Sequence, residues 1–211
     1  LKRLNLELIE DVAQNMLVIL PRRWTIRRLR ERLVERNGIL FDTDIFTFDD
    51  LLTSAKDEVL KRRRVIAKDQ EVLVVFNLLK EIFKDDKDYE NVLSAEFISQ
   101  VLYLINYMFL ESKEYPNDDI ISSGKYGWLK KLYMKYRQYL DENALVNKPY
   151  LEDLSIKLYE DGKMKLKSYE SAKIAFFIDF RVDQKRLLEV ISKQLPNVEV
   201  YIPFFNDIDL C

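Results

Sequence analysis

Apolar residues fall along this chain in two rhythms. Towards both ends they come in short unbroken runs: MLVIL at 16–20, DIFTF at 44–48, KIAFFID at 173–179 and VEVYIPF at 198–204. Runs this short predict strands buried on both faces, as in a parallel sheet covered by helices. Around them the spacing turns helical. Leu4, Leu8, Ile9 and Val12 predict an opening helix, and Ile26, Leu29 and Leu33 mark the inner stripe of a second helix that Gly38 stops. The stretch DQKRLLEVISKQL predicts a helix between the last two strands.

From about Asp57 to Ser168 the strand rhythm is absent. Val72, Phe76, Leu79 and Phe83 form one helical stripe, and Phe97, Val101, Leu104, Ile105 and Met108 a second. A third runs through Leu129, Leu132, Tyr133, Tyr136 and Leu140, and the polar loop SKEYPNDDIISSGKYG precedes it. Each stripe needs an apolar partner. The expectation is therefore an α/β fold: a parallel sheet in a three-layer αβα core made of residues 1–56 and 169–211, with 57–168 as a large all-helical insertion.

Composition narrows the chemistry. The formal charge of −2 gives no overall pull toward nucleic acid, so any electrostatic footprint is local. The absence of histidine removes catalytic triads and histidine metal sites. None of the four glycines lies in a phosphate-cradling GxxxxGK[ST] loop. The single cysteine, Cys211, cannot form a disulfide within the chain, and no apolar run reaches the length of a membrane span, which makes a cytoplasmic setting the expectation.

Four stretches carry candidate chemistry. In IAFFIDFRVDQ an apolar run ends at Asp179, as if to present a carboxylate to a magnesium ion, but Phe180 stands where a water-orienting glutamate belongs. The bland alternative is a strand end or helix cap. Seven arginines between positions 22 and 36 face only Glu31 and Glu35, an excess suited to phosphate contacts, although a solvated helix laced by pairs such as Arg27 with Glu31 has the same composition. Arg22, Arg23 and Thr25 precede or open the helix, Arg28 lies on its outer side, and Thr47 is expected to bring a hydroxyl to the same sheet edge. The acid-free segment KYGWLKKLYMKYRQY offers Tyr126 and Trp128 as aromatic platforms, whereas Tyr133 and Tyr136 fall on the apolar stripe and belong to a core. The acidic pairs Asp49-Asp50 and Asp118-Asp119 read as a helix start and a polar loop.

Taken in order, NMLVILPRRWTIRRLRERLVE resembles motif Ia of superfamily I helicases, and DIFTFDDLL resembles the strand and helix that follow it. LYMKYRQYLDENALVNKPYLEDLSIKLYE is similar to the helical approach to motif II, and KIAFFIDFRVDQKRLLEVI falls at the Walker B position. Within that superfamily the chain resembles the N-terminal region of the B subunit of AddAB-type (RexAB-type) helicase–nucleases, a helicase domain without motor activity. LPRR in place of Thr-Asn-Lys, and Asp179-Phe180 in place of Asp-Glu, fit such a subunit. The resemblance implies a P-loop NTPase (RecA-like) core with a domain 1B-like insertion, and a DNA-binding or scaffolding role in DNA end processing and double-strand-break repair. It also implies a helicase partner subunit of the AddA/RexA type. ATP and magnesium are implied for the family, and an iron–sulphur cluster only for a C-terminal nuclease domain to which nothing in residues 1–211 corresponds; this region is expected to need no cofactor. Two other readings stay open: part of an active ATP-dependent helicase whose Walker A loop lies upstream, and a protein-interaction scaffold without DNA contact.

Overall fold

The computed structural model describes residues 15–38, 44–85, 93–111, 127–166 and 169–202. The expected helix over 4–12, and Tyr126 with most of its loop, lie outside the described residues. In chain order the elements are β1 (Met16–Ile19), α1 (Arg23–Asn37), β2 (Ile45–Phe46), α2 (Phe48–Leu51), α3 (Thr53–Leu60), β3 (Arg64–Val65) and α4 (Lys68–Ile82). Then come α5 (Ala95–Glu111), α6 (Gly127–Glu142), β4 (Leu145–Val146), α7 (Lys148–Glu160), β5 (Ser171–Ala175), α8 (Val182–Gln194) and β6 (Asn197–Tyr201). They form two compact units, one within 1–55 and 156–211 and the other within 56–155.

The first unit is built on a four-stranded sheet in the order β2-β1-β5-β6, with every neighbouring pair parallel. Val18 is in register with both Ile45 and Lys173, and Ile174 with Val200. Side chains alternate across a strand, so the fully buried run Leu17–Leu20 feeds two cores. Leu17 and Ile19, with Ala172 and Ile174, meet Leu187, Val190 and Ile191 of α8. Val18 and Leu20, with Ile45 and Ala175, meet Ile26, Leu29 and Leu33 of α1 on the opposite face. Helices on both faces follow from the strand order. The step β1–α1–β2 runs toward one edge and β5–α8–β6 toward the other, and right-handed crossovers in opposite directions place their helices on opposite faces. Each fully buried leucine or isoleucine in these cores contributes about 1.5–3 kcal/mol. Gly38 closes α1 as expected, at φ 72°, its N–H bonding the Val34 carbonyl at 2.8 Å.

Four expectations change. β5 stops at Ala175, not at Asp179, because Phe176 adopts a left-handed conformation (φ 68°) and turns the chain out of the sheet. β2 is only two residues long, because Thr47 leaves the sheet to cap α2. The middle of the chain is not wholly helical: β3 and β4 pair in parallel, Arg64 with Leu145 and Val65 with Val146. Two-residue strands are too short to show any alternation. The sheet unit also reaches back into α7, since Ile156 and Tyr159 pack in its core and the Tyr159 hydroxyl donates to the Leu51 carbonyl at 3.0 Å.

In the second unit α4, α5 and α6 pack around Val75, Leu79, Ile105, Phe109, Tyr136 and Leu140. The expected stripe of α6 is buried at all five positions, Tyr133 and Tyr136 included. Polar groups in this core are paired: the Tyr136 hydroxyl and the Asn147 amide both donate to Glu71 Oε1, at 2.8 and 2.7 Å. Among the described residues no helix is long and apolar enough to cross a membrane.

Candidate functional site

Open parallel sheets bind ligands outside the carboxyl ends of their strands, at the point where the strand order reverses direction. Here that point lies between β1 and β5. The loops leaving β1, β2 and β5 meet at this edge, and they are held together by charge. Arg23, the first residue of α1, pairs with Asp50 of α2 at 3.1 Å. Arg181, which caps α8, makes a two-pronged bond to Asp183 (3.2 and 2.7 Å) and lies 3.7 Å from Asp49.

The first turn of α1 holds no acid, and Arg22, its N-cap, is extended and exposed. Helix amides, the positive end of the helix dipole and two guanidinium groups thus share one exposed position, a combination that favours anions. Among the described residues Arg22, Arg28 and Arg30 have no acidic partner, whereas Arg27 is tied to Glu31 at 2.9 Å. The opposing charge comes from Asp50. Partial burial pushes its carboxyl up, but the Thr47 backbone N–H and hydroxyl, and then Arg23, more than reverse this and hold it below the ordinary carboxylate range.

The structure brings some of the expected residues together and not others. Arg22, Arg23 and Thr47 share the sheet edge, with Asp50 linking the last two. The Thr47 hydroxyl is already committed: it accepts from the Asp50 N–H at 3.1 Å and donates to its carboxylate at 2.8 Å in a reciprocal cap. Thr25 is not at the surface. It is 1 % exposed and, among the described residues, its hydroxyl has no hydrogen-bond partner. Positions 25, 29 and 33 follow each other at four-residue steps, so Thr25 continues the inner stripe of α1. Arg28 is exposed, with its guanidinium 5.9 Å from the centre of the Trp24 ring. Trp128 belongs to the helical unit, where it packs against Phe83 and Phe97 at ring separations of 5.5 and 6.1 Å. Trp24 was missed. It sits off the stripe of Ile26, Leu29 and Leu33, which was the available signal.

Asp179 is exposed in the loop beyond β5 and accepts the Phe180 N–H at 2.7 Å. Phe180 stacks on Phe177 at 5.0 Å and meets Phe48 edge-on at 6.3 Å. Each carboxylate on these loops thus has a partner within the chain: Asp49 and Asp183 hold Arg181, Asp50 holds Arg23, and Asp179 takes a backbone amide. With these carboxylates engaged and an aromatic cluster beside Asp179, these residues do not fit a magnesium–nucleotide complex. No protein-family model matches the chain, and no curated protein does so either.

Proposed function

We propose that this chain is a non-motor, helicase-like region that holds DNA by its phosphates within a helicase–nuclease acting on DNA ends. The observation that carries the reading is the placement of Arg22 and Arg23 at the acid-free start of α1, on the carboxyl edge beside the reversal of strand order. The parallel sheet with helices on both faces is compatible with a P-loop core of RecA type. Phe180, locked into an aromatic cluster at the position of the water-orienting acid, supports binding without turnover. On this reading the chain needs no cofactor of its own and works beside a helicase subunit of the AddA/RexA type. Retention of labelled single-stranded DNA by the wild type, and its loss in Arg22→Ala/Arg23→Ala, is the expected result. Equal retention by both proteins removes the arginines from the account.

One observation favours a second reading, a protein-interaction scaffold. Helix α5 is apolar on nearly all sides and leaves Tyr103, Leu104 and Tyr107 exposed. DNA retention that is absent in the wild type at low salt selects that reading instead.

A further inference from the structure

At the amino edge of the sheet, where β2 and β5 begin and α8 ends, the first unit carries a cavity of about 440 Å³. It is formed by the end of α7, the loop that follows and the end of α8, and its volume lies in the range of small-molecule pockets. The floor is apolar and nearly closed to solvent: Tyr159, Leu166 and Val190 are each 5 % exposed. The walls are held in place. The Tyr159 hydroxyl donates to the Leu51 carbonyl at 3.0 Å and the Tyr169 hydroxyl to Asp44 Oδ2 at 2.7 Å, so both rings are anchored. Gln194 ties the loop to the helices, its Oε1 accepting the Leu166 N–H at 2.9 Å and its amide donating to the Tyr159 carbonyl at 3.1 Å.

Lys165 of the loop and Lys193 of the last turn of α8 also line the cavity, and neither has an acidic partner among the described residues. The acid among the described lining residues is Glu160, which Arg186 holds in a two-pronged pair at 3.1 and 3.0 Å. Helix C-termini ordinarily attract cations. Here the last carbonyls of α7 are engaged within the chain: Lys157 by the Asp161 N–H, Leu158 by the Met164 N–H, and Tyr159 by the Gly162 N–H as well as Gln194. Two lysine charges above an apolar, aromatic floor remain. We infer that this cavity binds a small phosphate monoester with a flat or apolar body, its phosphate held by Lys165 and Lys193 and its body on the tyrosine-lined floor. A monoester carries about −1.5 to −2 charges at neutral pH, which two lysines match better than they match a carboxylate. Lysine ammonium groups bind phosphate as point charges, so the ester needs no particular orientation of its oxygens. The site lies at the opposite sheet edge from Arg22 and Arg23 and does not rest on the DNA-binding reading.

The test uses the whole chain carrying Arg22→Ala/Arg23→Ala, so that the start of α1 does not compete for phosphate. Phenyl phosphate, inorganic phosphate, phenol and benzoate are titrated separately into isotope-labelled protein and followed by NMR. Phenyl phosphate is expected to shift the amide signals of Leu166, Val190 and Lys193 saturably, and to bind more tightly than any of the other probes. Lys165→Gln/Lys193→Gln is expected to weaken phenyl phosphate by at least about tenfold, the loss of one charge-assisted hydrogen bond, and to leave the weak binding of phenol unchanged. Lys165→Arg/Lys193→Arg is expected to keep most of the affinity. Both lysines are exposed, so circular dichroism and thermal unfolding should not distinguish these variants from their parent. Shifts absent at millimolar phenyl phosphate, or an affinity unchanged in Lys165→Gln/Lys193→Gln, overturn the site. Inorganic phosphate bound as tightly as phenyl phosphate overturns the role of the apolar floor, and benzoate bound as tightly overturns the preference for phosphate. Failure here leaves the DNA reading standing, because that reading is measured on other residues with another probe.

Discussion

Replacing Asp50 by asparagine separates two roles of one carboxylate, and the two are expected to move in opposite directions. Asp50 closes the reciprocal cap with Thr47 and also neutralises Arg23 at 3.1 Å. An asparagine oxygen still accepts the Thr47 N–H, so the cap weakens without vanishing; lost caps cost about 0.5–2 kcal/mol, and this partial loss belongs at the lower end. The ion pair adds little, because the Arg23 side chain is 86 % exposed and pairs of that kind are worth about 0–1 kcal/mol. Thermal unfolding is therefore expected to show Asp50→Asn destabilised by roughly 0.5–1.5 kcal/mol. Binding moves the other way. Arg23 no longer trades one anion for another, so one more phosphate is neutralised, and the slope of log K against log salt on single-stranded DNA steepens by about 0.7. Fluorescence anisotropy at four salt concentrations reads that slope. An unchanged slope with the expected loss of stability means that Arg23 is a structural arginine and takes no part in binding.

Three further outcomes follow from the same geometry. Thr25→Val is expected to leave stability unchanged or raise it by up to about 1–3 kcal/mol, because it removes a buried hydroxyl without a partner among the described residues; a clear loss in chemical denaturation contradicts the burial described for α1. At alkaline pH the helical unit should weaken. Burial, with a hydrogen bond to Asp141 behind it, raises the Tyr150 hydroxyl from 10.0 to about 12, and Tyr136 is raised too. Folding thus favours the protonated phenols, so their stabilisation is complete below pH 10 and fades as pH rises through about 12. Tyr150→Phe should flatten part of that decline, and an identical profile contradicts it. The chain should release no phosphate from ATP, with or without DNA; steady release that Asp179→Ala abolishes refutes the non-motor reading.

How much of this was readable in the residues depended on whether a feature is periodic. Strands β1, β2 and β5 announced themselves as apolar runs, and the inner stripes of α1 and α6 as helical spacing, because burial on a fixed face demands repetition; β6 was expected to be buried on both faces too, but lies at the end of the sheet order and is largely exposed. Thr25 was readable in the same way, from its four-residue steps to Leu29 and Leu33, but its position just after Arg22 and Arg23 drew it into the candidate site instead. The end of β5 was not readable. A left-handed phenylalanine at 176 leaves no mark in composition, and the apolar run continues unbroken through the turn it makes. Nor were the ion pairs of Arg23 with Asp50 and Arg181 with Asp49, which exist only because the sheet brings separate loops to one edge. The excess of arginine near the start of α1 was legible, whereas the part of it neutralised by partners was not.

The central claim is that the start of α1 holds nucleic acid by its phosphates. It is tested most directly by the salt dependence of single-stranded DNA binding, measured side by side for the wild type and Arg22→Ala/Arg23→Ala. With Arg22, Arg28 and Arg30 engaged, the wild-type slope of log K against log salt should be about −2, and Arg22→Ala/Arg23→Ala should flatten it by about 0.7, because Asp50 already neutralises Arg23 in the wild type. A wild-type affinity that ignores salt, or two slopes that coincide, contradicts the account.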